Sequence, residues 1–77
     1  MYIDIRDNNS YNNGHIDGAI NIPFKNLLVN PKLLNKNEIY YIYCQSGNNS
    51  KILVNYLNKL GYSCINVSGG YSKYLLK

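Results

Sequence analysis

A single cysteine, Cys44, stands at the junction of two apolar runs in the segment YIYCQSGNNSKIL. The run before it is typical of a strand and the run after it is typical of a helix. The free N–H groups and the positive dipole end of that helix favour an anion on the intervening loop. A thiolate is such an anion, so the position is expected to lower the thiol pKa and to make Cys44 a nucleophile.

The loop that follows Cys44 supplies the groups expected to hold this sulfur. Its backbone N–H groups, from Gln45 to Ser50, are predicted to stabilise the thiolate, and Gly47 lets the chain curl so that they converge. The alternative for Asn49 and Ser50 is a purely structural role as caps of the helix, which is predicted to begin at about Ser50. Gln45, Ser46 and Asn48 are expected to shape the entry of a substrate. The candidate anion-binding loop is therefore Gln45, Ser46, Gly47, Asn48, Asn49 and Ser50.

Other site chemistries fit the sequence poorly. The loop lacks the Gly-Lys-Ser/Thr of a Walker A motif, and the chain has no Gly-x-Gly-x-x-Gly. Two cysteines and one histidine are too few for a zinc site, so neither a metal nor a cofactor is expected. Cys64 lies in an apolar run and is expected in the core, too deep for a disulfide with Cys44. His15 is expected to be a hydrogen-bonding residue of a turn.

Strands and helices are predicted to alternate along the chain. MYIDIRD, HIDGAINIP, IYYIYC and SCINV have the features of extended segments, and IYYIYC is apolar on both faces, as in an interior parallel strand. NNSYNNG is rich in turn formers and is predicted to be a loop. Asp4 and Arg6, near the end of the first strand, are expected to pair with each other or with loop groups and to support the site.

The clearest predicted helix is SKILVNYLNKLG, which ends at Gly61. Its apolar face is predicted from the helical spacing of Ile52, Leu53, Tyr56, Leu57 and Leu60. FKNLLVN is predicted to be a weaker helical turn that Asn30-Pro31 stops, and YSKYLLK a last helical turn. The alternation predicts an α/β fold with a small parallel sheet flanked by helices, in one domain over residues 1–77.

Composition and charge argue against several classes of partner. The net charge is +4, but the lysines are spread along the chain and form no basic block, so nucleic acid is not an expected partner. No segment approaches the roughly 18 apolar residues of a membrane span, and no signal-like run opens the chain. We therefore expect a cytoplasmic protein that does not bind a membrane.

Four motifs in order resemble those of the rhodanese-like domain family. IDIRD is similar to the family's Asp-x-Arg, GHIDGAINIP to its Gly-His-Ile-x-Gly-Ala and Asn-Ile-Pro, YCQSGNNS to its active-site loop, and NVSGGYSKY to its Gly-Gly followed by an aromatic residue. The resemblance covers nearly the whole chain. It implies a sulfurtransferase in which Cys44 takes a sulfane sulfur from thiosulfate or a persulfide and passes it to a thiol or cyanide acceptor.

Two departures from the family pattern qualify this expectation. The family's loop arginine falls at position 49, where this chain has asparagine, so thiosulfate is expected to be a poor donor. The alternative is then a non-catalytic rhodanese-like module that binds a partner or relays sulfur. A related phosphatase is less favoured, because its loop is one residue longer than the six positions from Cys44 to Asn49.

The second departure concerns the sheet. Family members usually begin with a further strand and helix before Asp-x-Arg, and this chain starts at Met1 inside what should be the second strand. The chain is therefore expected to look trimmed and to lack the usual first strand. That strand would lie beside SCINV, whose exposed edge is expected to form a homodimer, to be covered by the chain's own terminus, or to leave the fold weakly stable.

Overall fold

Strands and helices alternate along the chain in the computed structural model, which describes residues 1–76. Its strands are β1 (Tyr2–Asp4), β2 (Ile20–Asn21), β3 (Ile39–Tyr43) and β4 (Ser63–Asn66). Its α-helices are α1 (Asn8–Asn12), α2 (Phe24–Val29), α3 (Asn48–Lys59) and α4 (Gly70–Tyr74), and a 3-10 turn covers Pro31–Leu33. The predicted last helical turn is thus present as α4, and Lys77, its last predicted residue, lies outside the described residues.

The strands form one parallel sheet in the order β2-β1-β3-β4. IYYIYC is the interior strand β3, as its apolar character predicts. SCINV is β4, at one edge of the sheet. Strand β4 extends beside β3 so that Asn66 lies level with Ile42, which brings the carboxyl ends of the two strands close together. The predicted α/β fold with a small parallel sheet flanked by helices is confirmed.

Apolar side chains on the two faces of the sheet form two clusters. The larger cluster lies under α2 and α3 and contains Ile3, Ile42, Leu27 and Leu53. The smaller cluster is built around Tyr43, Ile16 and Ala19, and aromatic side chains of α1 and α4 pack against it. Helices α1 and α4 leave part of this second face open, because Ile39 and Tyr41 remain 56% and 37% exposed. The helices therefore flank β3 on both faces but leave these two side chains partly exposed.

The segment NNSYNNG forms helix α1 rather than the predicted loop. Its residues are poor helix formers, but Asp7 precedes them and its carboxylate accepts a hydrogen bond from the Ser10 N–H at 2.8 Å. This side-chain cap satisfies one of the free donors of the first turn. The Tyr11 side chain then anchors the turn, since its hydroxyl donates to the Ala19 carbonyl at 2.6 Å.

Helix α3 is where the sequence predicts it, but its buried face is rotated from the predicted one. Leu53, Val54 and Leu57 are buried, whereas Ile52 is 63% exposed and Tyr56 and Leu60 are also exposed. Two apolar stripes run along this helix at helical spacing, and the sheet can cover only the one that faces it. Gly61 follows the helix with φ +101°, as expected for a residue that terminates a helix.

Candidate functional site

Cys44 lies directly beyond the carboxyl end of β3 and next to the start of α3. Its sulfur accepts hydrogen bonds from the Gly47 N–H at 3.2 Å and the Ser50 N–H at 3.3 Å. The residue is only 6% exposed. The loop thus surrounds a buried sulfur with backbone donors from Gly47 and Ser50, two of the positions that the sequence proposes for this role.

The surroundings of this sulfur make it acidic for a thiol. Burial by itself would raise the pKa of Cys44, because it penalises the charged form. Hydrogen bonds from the Ser50 hydroxyl and from the backbone N–H groups of Ser50, Gly47 and Ser46 outweigh burial, and the pKa lies below its ordinary value. Cys44 therefore has a larger thiolate fraction at neutral pH than an ordinary cysteine, which favours nucleophilic attack.

The start of α3 differs from the prediction in its capping. The helix begins at Asn48 after Gly47, which has φ +95° and makes no side-chain cap. Asn49 and Ser50 therefore lie within the first turn, and the alternative that they cap the helix is wrong. A side chain on Gly47 would meet the Gly69 backbone nitrogen at 2.9 Å, so the tight turn requires glycine here.

Ser50 instead faces the sulfur from inside the helix. It is fully buried, and its hydroxyl lies 3.4 Å from the Cys44 sulfur and donates to the Asn66 side-chain oxygen. The Asn66 amide in turn donates to the Gly47 carbonyl at 3.3 Å. Sequence reasoning missed Asn66. Its position could have identified it, because it is a polar residue at the carboxyl end of a strand that neighbours β3.

Helix α4 closes against the other side of the loop. The Tyr71 N–H donates to the Cys44 carbonyl at 2.9 Å, and the Ser72 N–H donates to the Gln45 carbonyl at 3.0 Å. This approach requires Gly70, where a Cβ would lie 2.2 Å from the Cys44 carbonyl oxygen. The Gly-Gly pair near the carboxyl end of the chain thus fixes the peptide that carries the nucleophile.

Asp4 and Arg6 pair with each other, one of the two arrangements expected, and Arg6 also reaches the loop. The Arg6 guanidinium bonds the buried Asp4 carboxylate at 2.7 Å and the Gln45 side-chain oxygen at 3.0 Å. Its carbon also lies 4.3 Å from the centre of the Tyr71 ring. Burial would lower the pKa of Arg6, but the contact with Asp4 outweighs it, and the pKa is raised. The positive charge of Arg6 is thus matched by Asp4.

A cavity of about 390 Å³ opens onto Cys44. It is lined by the end of β1, the start of α1, the start of α2 and the loop, which contribute Ile5, Arg6, Asp7, Ser10, Phe24, Cys44, Gln45, Ser46 and Asn49. Of the predicted loop residues, Gln45, Ser46 and Asn49 therefore line the space a substrate would occupy. Asn48, which was also predicted to shape substrate entry, is exposed and does not contribute to this lining, because its side chain lies on the outer side of the first turn of α3.

The remaining candidate residues lie apart from this cavity. The His15 Nδ1 donates a hydrogen bond to the Tyr11 carbonyl at 2.8 Å, and the ring stacks on the Tyr11 ring, as expected for a residue of a turn. Cys64 is buried in the larger apolar cluster, and burial raises its pKa to about 11. Both cysteines are free. Within residues 1–76, His, Cys, Asp and Glu side chains form no group of three that could hold a metal ion.

None of the helices in residues 1–76 has the length and apolar character that a membrane crossing requires.

Comparison with known proteins places this geometry in a family. The family description "Rhodanese-like domain" matches residues 1–77. The chain is 37% identical over 71 residues to "Thiosulfate sulfurtransferase GlpE" of Shewanella oneidensis, a match that covers 91% of this chain and 70% of that protein. It is 32% identical over 71 residues to "Thiosulfate sulfurtransferase PspE" of Escherichia coli, covering 90% of this chain and 68% of that protein.

The fold is also similar to that of a solved relative. A crystal structure of a rhodanese-related protein from Thermoplasma volcanium superimposes with a TM-score of 0.91 and 31% sequence identity, and the match covers 97% of this chain and 75% of that one. Sequence and fold thus agree over nearly all of the chain, and the chain belongs to the rhodanese-like domain family.

Proposed function

We propose that this chain is a sulfurtransferase that carries a sulfane sulfur as a persulfide on Cys44. The observation that carries the proposal is the sulfur itself, which accepts two backbone hydrogen bonds at the end of a strand and faces a cavity of about 390 Å³. A thiolate with a lowered pKa and room for a small donor has what nucleophilic attack on sulfur needs.

The reaction has two halves in which atoms and charge balance. In the first, the Cys44 thiolate attacks the outer sulfur of thiosulfate, the S–S bond of the donor breaks, and sulfite leaves with the electron pair. Cys44 then carries –S–S⁻. In the second, an acceptor such as cyanide attacks the outer sulfur of this persulfide, thiocyanate leaves, and the Cys44 thiolate is restored. A thiolate acceptor reacts in the same way and becomes a persulfide.

The residues around Cys44 have distinct roles in this scheme. The Gly47 and Ser50 N–H groups stabilise the thiolate as nucleophile and as leaving group. The Asp4–Arg6 pair holds the Gln45 side chain at the cavity. These residues therefore fix one wall of the opening through which a donor enters. The names of the two curated relatives support thiosulfate as one donor class. A reducing cytoplasm would keep both cysteines free for this chemistry.

Intact mass spectrometry tests the proposal. After exposure to thiosulfate or a persulfide donor, the protein should gain the mass of one sulfur atom, mapped to the peptide that contains Cys44, and Cys44→Ser should gain none. Cyanide should remove the added sulfur and release thiocyanate. Modification mainly at Cys64, whose raised pKa disfavours reaction, would contradict the proposal.

A second candidate is a sulfur-relay module without turnover of free thiosulfate. Asn49 favours it, because this residue lines the cavity where the family's loop carries arginine. The charge of the nearby Arg6 is already matched by Asp4. The two candidates differ in one measurement: a sulfurtransferase releases thiocyanate from thiosulfate and cyanide repeatedly, whereas a relay module accepts one sulfur from a protein persulfide and shows no such turnover.

A further inference from the structure

A chain of hydrogen bonds connects the Cys44 sulfur to a side chain on the edge strand β4. The sulfur lies 3.4 Å from the Ser50 hydroxyl oxygen, and that hydroxyl donates to the side-chain oxygen of Asn66. The orientation of the Asn66 amide is set from its other end, because its NH₂ group donates to the Gly47 carbonyl at 3.3 Å. The Asn66 oxygen therefore faces Ser50 and can act only as an acceptor.

The number of hydrogens available in this series of hydrogen bonds limits which of the bonds can form at the same time. A serine hydroxyl has one hydrogen to donate. While Cys44 is a thiol, its S–H donates to the Ser50 oxygen and the Ser50 hydrogen goes to Asn66, so every group has a partner. Once Cys44 is a thiolate, the sulfur can only accept. Sulfur and the Asn66 oxygen then compete for the same hydrogen.

The charged state of the sulfur decides this competition. A hydrogen bond to an anion is stronger than one to a neutral amide, so the Ser50 hydrogen turns to the thiolate and Asn66 loses its donor. In a persulfide, the negative charge sits on the outer sulfur and the Cys44 sulfur becomes a weak acceptor. The hydrogen then returns to Asn66.

We propose that Asn66 is a positioning residue that holds the Ser50 hydroxyl hydrogen whenever the Cys44 sulfur is neutral and releases it when that sulfur carries charge. The part of this proposal that concerns sulfur transfer rests on the persulfide function proposed above. As the S–S bond of the persulfide breaks, the electron pair arrives on the Cys44 sulfur, and the Ser50 hydroxyl turns to meet it. Asn66 keeps this donor close and correctly placed, but competes with the sulfur for it.

Other charged groups near the sulfur are not part of this series of hydrogen bonds. Among residues 1–76, the charged side chains that line the same cavity are Arg6 and Asp7, with Asp4 behind Arg6. Lys51 on α3 and Lys73 on α4 are exposed. The buried contacts of Ser50 are with Cys44 and Asn66. An effect that passes from Asn66 to Cys44 through Ser50 can therefore be isolated by substituting Asn66 and Ser50.

Titration of the Cys44 thiol in Asn66→Ala tests the proposal by its sign. Without the competing acceptor, the Ser50 hydroxyl is free to bond the thiolate, so the midpoint of thiolate formation should fall by about half a pH unit. If Asn66 were only a structural support, its loss would loosen Gly47 and weaken the donors to sulfur, and the midpoint would rise. The midpoint is measured from thiolate absorbance and from the rate of alkylation mapped to Cys44.

The Ser50→Ala background is the matched control. Removing the hydroxyl should raise the midpoint, and adding Asn66→Ala to that background should leave the midpoint within about 0.2 unit of Ser50→Ala alone, since no hydrogen remains to be shared. An equal shift in both backgrounds would overturn the proposal. The titration needs no sulfur transfer, so its failure is distinct from failure of the persulfide function, which mass spectrometry reports.

The unmodified protein provides a second measurement should Asn66→Ala fail to fold. The side-chain carbonyl carbon of Asn66 should shift in NMR spectra with the same midpoint as the Cys44 thiol, because its oxygen loses a hydrogen bond as the thiol ionises. In Ser50→Ala this shift should shrink to the small field effect of the new charge. A resonance that stays fixed in the unmodified protein, or moves equally in both, would overturn the proposal.

Discussion

Cys44 receives its backbone hydrogen bonds from residues close to it in sequence. Gly47 and Ser50 are three and six positions away, and the strand–loop–helix order of the segment was enough to predict that backbone N–H groups of the loop face the sulfur. The contacts that complete the site connect residues far apart in the chain, such as Arg6 with Gln45 and Ser50 with Asn66. Local spacing carries no signal for these, so Asn66 was missed and the pairing of Arg6 was left open between two partners.

The residue at position 49 is expected to limit the use of thiosulfate. Asn49 lines the cavity, but a neutral amide offers a dianion no charge and no bidentate fork. Hydrogen bonds to charged groups are worth roughly 1.5–3 kcal/mol against about 1 kcal/mol for neutral ones. About 1.4 kcal/mol corresponds to a tenfold change, so this difference is equivalent to roughly a five- to tenfold effect. Asn49→Arg should therefore raise kcat/KM for thiosulfate by that factor.

Asn48→Arg is the matched control for this change. It adds the same charge one position earlier, on an exposed residue outside the cavity lining, and should leave kcat/KM for thiosulfate within about twofold, as expected for a screened surface charge. A thiol-borne persulfide donor should respond less than thiosulfate to either change. Equal gains from both arginines, or no gain from Asn49→Arg, would contradict this role for position 49.

At the scale of the elements, periodicity predicted which segments are helices better than it predicted which faces they bury. Helix α3 ends just before the predicted Gly61, yet its side chains Ile52 and Tyr56 face solvent while Val54 is buried. The sequence holds two apolar stripes at compatible spacing, and only the position of the sheet selects one. Helix α1 was missed for the opposite reason: its residues have low helix propensity, and a single aspartate cap and tertiary contacts stabilise it.

The contact between α4 and the Cys44 loop depends on Gly70. This residue has φ +57°, and a Cβ there would lie 2.2 Å from the Cys44 carbonyl oxygen. Gly70→Ala should therefore destabilise the fold by more than the roughly 1–2 kcal/mol typical of left-handed strain alone, and it should displace the peptide that carries the nucleophile. Urea denaturation and sulfur transfer at a temperature where the variant is folded measure the two effects.

Gly18→Ala separates strain from steric contact in this test. Gly18 has φ +81°, but within residues 1–76 no atom beyond its two chain neighbours lies within 4 Å of the position its Cβ would take. The alanine variant should lose only the strain energy, about 1–2 kcal/mol, and keep the sulfur-transfer rate of the unmodified protein. If the two alanine variants are equally stable and equally active, the close approach of α4 to the loop is not what Gly70 provides.

At the scale of the whole molecule, the sheet ends at β4, and a homodimer through that edge remains a prediction. An unpaired edge offers backbone groups to a second copy, and the net charge of +4 on each copy opposes the approach. The structure adds a feature that the sequence did not reveal. The Asn58 side chain on α3 accepts from the Cys64 N–H at 2.8 Å and donates to the Cys64 carbonyl at 3.0 Å.

Asn58 thus bonds both backbone groups of Cys64, as a neighbouring strand would, and is expected to restrain pairing of the edge. Asn58→Ala should release these groups and promote association through β4 in a two-fold arrangement. If the new strand contacts contribute about 1 kcal/mol, the dimer dissociation constant should fall by roughly fivefold. Sedimentation equilibrium over a range of concentrations measures it, and added salt should strengthen association by screening the like charges.

The exposed Asn55 on the same helix provides the control, because Asn55→Ala should leave association unchanged. Asn58→Ala that associates no more than Asn55→Ala would show that this amide does not guard the edge.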